Sequence, residues 1–140
     1  MADMIRVVIT HDRLPQLIQR APGEVDRRIE MLAQAGRNYM VTAIQTPSPG
    51  RPYVRSNPRR SGIAAAVGQP PNTDTGNLAN SITVENAGQF RRRIDVGAGY
   101  GAFLEFGTPK MGKRPFMEPA MLKVESLVSE IFDRLAESVL

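Results

Sequence analysis

The stretch Ser81–Val96, SITVENAGQFRRRIDV, decides the fold. Ile82 and Val84 fall on one face of a first strand, Ser81–Glu85, by the two-residue period of extended chain. In a second strand, Phe90–Val96, the residues Phe90, Ile94 and Val96 group together, with Arg91, Arg93 and Asp95 opposite. Asn86–Gln89 makes the turn, and Gly88 supplies its permissive position. The result is an antiparallel hairpin with one apolar face, which needs a second layer to bury it.

The flanking sequence supplies that layer. From Glu24 to Gln45, Val25, Ile29, Leu32, Ala33, Gly36, Met40, Ala43 and Ile44 recur at three- and four-residue spacing. This predicts a helix with one apolar stripe. Acidic Glu24 and Asp26 suit its first turn, and Pro47 and Pro49 stop it. A second long helix is expected from Pro119 to about Glu137, burying Ala120, Val124, Leu127, Val128, Ile131, Leu135 and Val139. Arg13–Arg20 reads as one or two helical turns, and Asp74-Thr75-Gly76 as a cap leading into a turn at Asn77–Asn80. At the N-terminal end, Met4–Thr10 alternates Ile5, Val7 and Ile9 and is expected to add a third strand. The fold class is therefore α+β: a twisted antiparallel sheet packed against two longer helices, in a single domain spanning 1–140.

Thr46–Thr73 is different in kind. It contains six prolines, three glycines and four arginines (Arg51, Arg55, Arg59, Arg60) and no acidic residue. Without sustained periodicity, so long a segment reads as an extended arm over 46–73 that becomes ordered against neighbouring subunits. A short strand or turn at Ile63–Val67 is the one regular feature its composition suggests.

Composition excludes several functions. The 140 residues contain no cysteine, which removes disulfides, thiolate metal sites and cysteine nucleophiles. No apolar run approaches bilayer-spanning length and no signal peptide opens the chain, so no membrane role and a cytoplasmic origin are expected. His11 is the only histidine and reads as a loop or capping residue beside Asp12. Gly97-Ala98-Gly99 lacks the third glycine and downstream acid of a dinucleotide loop, and reads as a turn. Glu85 and Asp95 face each other across the hairpin, a common arrangement on a solvated sheet. No catalytic set, metal site or cofactor site emerges, and the chain is not expected to be an enzyme.

Charge is unevenly spread. Residues 118–140 hold five acidic and two basic side chains, a net −3, so the overall +4 leaves +7 on residues 1–117. Arg91-Arg92-Arg93 forms a second basic cluster beside that of the arm. Such clusters suit acidic surfaces of neighbouring subunits or non-specific contact with DNA phosphates. One tyrosine, Tyr53, among the arm's arginines is not the aromatic interleaving of a single-strand binder.

Two further segments are distinctive. Tyr100-Gly-Ala-Phe-Leu-Glu-Phe-Gly-Thr108 is an aromatic-rich helical turn closed by Gly107. After a basic loop with Lys110, Lys113 and Arg114 comes Arg114-Pro-Phe-Met-Glu-Pro-Ala120. Glu105, set between Leu104 and Phe106, needs a partner, and a basic group within the subunit or across an interface is expected.

With Asp74-Thr-Gly-Asn-Leu-Ala-Asn-Ser-Ile82, Tyr100–Thr108 and Arg114–Ala120 in this order, the chain resembles the small tail-component family of long-tailed bacteriophages, also called neck or tail-completion proteins. It departs from that pattern at Gly101, where alanine is commoner, and in its longer, more arginine-rich loop. The resemblance implies a structural virion protein that multimerises as a ring around the DNA channel at the head–tail junction. The sequence leaves open whether it is the neck, tail-completion or tail-terminator tier. The implied partners are copies of itself (six-fold preferred, twelve-fold possible), neighbouring connector and tail-tube proteins, and channel DNA. The expected subunit interface is Tyr100, Phe103, Glu105, Phe106, Gly107, Lys110, Lys113, Arg114 and Phe116. Arg51, Arg55, Arg59, Arg60, Arg91, Arg92 and Arg93 supply arm or channel charge. The alternative is a basic nucleic-acid-binding module, which strong, salt-sensitive binding to short duplexes by a monomer would favour.

Overall fold

The computed structural model describes residues 7–45, 50–56, 59–65, 68, 77–97, 99, 101–109 and 112–140. Among the described residues there are five helices and two separate two-stranded antiparallel sheets, an α+β arrangement.

Helix α1, Leu14–Arg20, ends where the Ala21 N–H bonds the Leu17 carbonyl, and Pro22 opens α2, Pro22–Gln45. The predicted stripe of α2 is its inner face: Val25, Leu32, Gly36, Met40 and Ile44 are buried. It packs along α5, Met117–Val139, which buries Ala120, Val124, Val128, Phe132, Leu135 and Ala136. Gly36 leaves room for α5 and the strand β4, Arg91–Val96, against α2. A side-chain carbon there would meet Met121 Cε at 2.8 Å, Ile94 Cδ1 at 3.1 Å and Val124 Cγ2 at 3.2 Å. One apolar cluster lies towards the α1 end, built on Leu17, Val25, Leu32, Val128, Phe132 and Leu135. The other joins Met40, Ile44, Leu78, Ile82, Phe116 and Ala120 beneath the sheet.

That sheet pairs β3, Ile82–Gly88, with β4, Arg91–Val96, in a register that sets Ile82 opposite Val96 and Val84 opposite Ile94. The short helix α3, Asn77–Asn80, feeds into it, and the sheet lies against α2. The strand β3 runs further than Glu85, so the turn falls at Gln89–Phe90. Gly88 has φ +131° beside a register irregularity, and Phe90 has φ +61°, a region few large residues adopt. Two contacts hold Phe90 there. Its N–H donates to Asp26 Oδ1 at 2.8 Å, and its ring packs on the first core cluster.

Several expectations need correction. Val7–Thr10 has no regular structure, so among the described residues the hairpin gains no third strand; Ile5 lies outside them. His11 is instead buried against α5: its Nε2 lies 2.7 Å from Asp133 Oδ1, its Nδ1 accepts from the Arg13 N–H, and its ring centroid is 6.0 Å from that of Phe132. Since Nδ1 accepts, the ring proton sits on Nε2 and donates to Asp133. Within 46–73, Gly50–Ser56 (β1) and Arg59–Ala65 (β2) form an antiparallel ribbon, not a continuous irregular arm. Asp74-Thr75-Gly76 lies outside the described residues. Helix α5 starts at Met117, which makes Pro119 its third residue.

Candidate functional site

The two motifs on either side of the basic loop meet at one corner. Gly101–Phe106 forms α4, and Gly107, at φ +78°, ends it with its N–H on the Phe103 carbonyl. A β-carbon at position 101 would sit 2.8 Å from Val96 Cγ1, so the glycine lets α4 lie against β4. The chain then returns, and the Arg114 N–H donates to the Leu104 carbonyl before α5 begins.

Glu105 joins the two helices. The residue is only 3% exposed. Oε1 accepts from the N–H groups of Phe116 at 2.8 Å and Met117 at 2.7 Å, and Oε2 from that of Glu118 at 3.0 Å. These are the N-terminal donors of α5 that have no partner within the helix. Residue 119 is proline and has no N–H to satisfy. One distant carboxylate thus completes the cap, helped by the positive end of the helix dipole. The expected basic partner of Glu105 is corrected by this finding: the balancing groups are backbone amides. Phe116, itself unable to cap by side chain, is fully buried in the second core cluster. It is a core residue of the subunit rather than an exposed anchor.

Phe103 and Phe106 are the opposite case. They lie three residues apart on α4 and are 56% and 43% exposed. Lys113 is exposed and Arg114 half-buried, with Arg114 Nη1 on the Gly112 carbonyl at 3.3 Å. Tyr100 and Lys110 lie outside the described residues.

The triple arginine divides three ways. Arg91 is exposed. Arg92 shares the inward face of β4 with Ile94, its guanidinium 2.7 Å from Asp26 Oδ2 and 2.6 Å from Glu30 Oε1 on α2. With only 7% of its side chain exposed, it ties sheet to helix and is not available as channel charge. Arg93 bridges Glu85 and Asp95, so those carboxylates are separated by a cation. Arg51, Arg55, Arg59 and Arg60 occupy positions of the β1–β2 ribbon, away from the α4–α5 corner in the sequence and in a different sheet from Arg91–Arg93.

Hydrogen bonds from Arg92 and the Phe90 N–H hold the Asp26 carboxyl below its ordinary value. Those from Gln34 and then Arg92 do the same for Glu30. Carboxyls depressed in the folded state stabilise it above their unfolded titration range, and this contribution disappears as pH falls through the lower folded values. Wild-type protein should therefore lose stability below about pH 4. Arg92→Met should be less stable at neutral pH and show a flatter decline between about pH 5 and 2. Urea midpoints across that range check this, and parallel curves would refute the role of the cluster.

Among the described residues no group of three or more His, Asp or Glu side chains is arranged to hold a metal ion, and no helix is long and apolar enough to cross a membrane. No protein-family model, curated protein or solved structure matches the chain.

Proposed function

We propose that the protein is a structural subunit of a ring at the head–tail junction of a tailed bacteriophage. The observation that carries this reading is the α4–α5 corner. Glu105 fixes it from within, and Phe103 and Phe106 stand exposed on its outer face. Two large aromatics held outward on a rigid support suit burial against another protein. The three motif segments converge on the same region: Leu78 and Ile82 share a core cluster with Phe116 and Ala120, and Leu104 packs against it. The proposed role needs no catalysis: the ring joins tail to head and leaves a channel for DNA. Copies of the chain, six in preference to twelve, are its first partners, with connector and tail-tube proteins above and below.

Cryo-electron microscopy of purified particles tests this. Density for the chain in a symmetric junction ring is the expected result, and its absence from the particle would sink the reading. In the same host, a double Phe103→Ser, Phe106→Ser variant should fold normally, yet separate heads and tails should accumulate. If the soluble monomer prefers one duplex sequence by tenfold or more, the regulatory nucleic-acid module replaces the ring.

A further inference from the structure

The outer face of the α4–α5 corner combines apolar area with a cation. Phe103 and Phe106 are exposed on α4. The Arg114 N–H, bound to the Leu104 carbonyl, brings the preceding residue, Lys113, alongside that helix, and Lys113 is exposed as well. Single apolar side chains on a surface are ordinary. Two aromatics three residues apart with a cation beside them form a patch, and a patch of this kind has a definite complement: an apolar side chain set between carboxylates.

The helix α5 carries that complement. Leu122 is 58% exposed. Glu118 lies one turn before it and Glu125 three residues after it, and both are exposed. At about 100° per residue, the three positions fall within about 60° of one another, so they share one face. The buried stripe of the same turns, Ala120, Val124 and Val128, points elsewhere. Among the described residues neither glutamate carboxylate has an ion pair or hydrogen bond, and the Lys113 ammonium has none.

We propose that Phe103, Phe106 and Lys113 of one copy dock on the Glu118–Leu122–Glu125 face of a second copy. The two rings cover Leu122, and the ammonium of Lys113 meets the flanking carboxylates. Apolar burial supplies the affinity, while the charges set the orientation and the rate of encounter. DNA phosphates would pair with Lys113 but leave both rings in water. The acid-flanked leucine on the same chain favours a second copy over an unrelated protein. The contact joins two different patches, so repetition closes a ring or extends a filament. This inference rests on the outward corner of the proposed function; the junction ring enters only through closure.

Charge reversal in the full-length protein tests the contact by sedimentation at low ionic strength. The variants are Lys113→Glu, and Glu118→Lys with Glu125→Lys. Wild type should self-associate, and less so as salt rises towards 1 M, where screening reaches about 3 Å. Each reversed variant alone should associate about tenfold more weakly or worse, with an unchanged circular dichroism spectrum, because like charges then face each other. Mixed in equal amounts, the two variants should recover wild-type association, since the acidic corner of one meets the basic face of the other. Phe103→Ser with Phe106→Ser should stay monomeric at every salt concentration. Position 118 lies in the first turn of α5, where a lysine opposes the helix dipole. Misfolding there is covered by Glu125→Lys alone, which must still weaken association and regain it on mixing with Lys113→Glu. A monomeric wild type, reversed variants that associate like wild type, or a mixture that does not recover would overturn the proposal. If particles contain a junction ring while the reversed variants still assemble, the contact is wrong and the ring reading stands. If the mixture recovers but the chain is absent from particles, the contact stands and the ring reading falls.

Discussion

Glu105→Ala should lower the melting temperature of the isolated protein by about 10 °C, a loss of about 3 kcal/mol for a chain of this size. The alanine leaves three N–H groups at the start of α5 without their acceptor, in a place where the carboxylate is almost fully buried. Each stranded donor forfeits a bond to a charged group, and water reaches the corner only if α4 moves away. The estimate stays below the sum of three independent losses because one carboxylate serves all three and the corner relaxes. Glu105→Gln should recover about half, since its remaining carbonyl oxygen still accepts where Oε1 does. Thermal unfolding followed by circular dichroism measures both. An alanine variant that melts with wild type while failing to join heads to tails would mean that Glu105 acts between subunits. The bonds to α5 argue for the opposite order: stability falls first, and assembly falls with it.

Phe132→Ala should cost about 4 kcal/mol, enough to leave a domain of typical stability close to its threshold. Phe132 is fully buried in the cluster that joins α1, α2 and α5, and its ring also supports His11. Its neighbour Ile131 is half-buried, and Ile131→Val should cost no more than about 1 kcal/mol. Urea unfolding of the pair tests the rotational phase of α5 at its C-terminal end. Equal losses at the two positions, or a larger loss at Ile131, would mean that the helix is turned away from the orientation described.

That pair also shows where periodicity stops being informative. Spacing alone placed Ile131 on the buried face and passed over Phe132, because an apolar stripe wider than one residue leaves its centre undefined. The packing of His11 and Leu17 fixes the centre on Phe132. Arg92 is a similar case with a signal that was present. Strand parity sets it with Ile94 and Val96, and its burial followed from that alternation, but a run of three arginines reads as surface charge. Its acceptors, Asp26 and Glu30, lie more than sixty residues earlier on α2. Nothing in local sequence marks that meeting.

The sequence by itself determined the class of fold. The apolar stripes of α2 and α5, the alternation of β3 and β4, and the glycine that ends α4 are local properties, written in residues close together along the chain. It also marked Glu105 as a carboxylate that needed satisfying. Only the tertiary structure decided what satisfies it. The amides of α5 become a partner when the chain folds back from Gly107, and they carry no side-chain signature by which a sequence could announce them. The same fold-back separates the three phenylalanines, burying Phe116 under the sheet and leaving Phe103 and Phe106 outside. Identical side chains meet different fates there because burial belongs to the packed arrangement of distant segments, and no residue carries it alone.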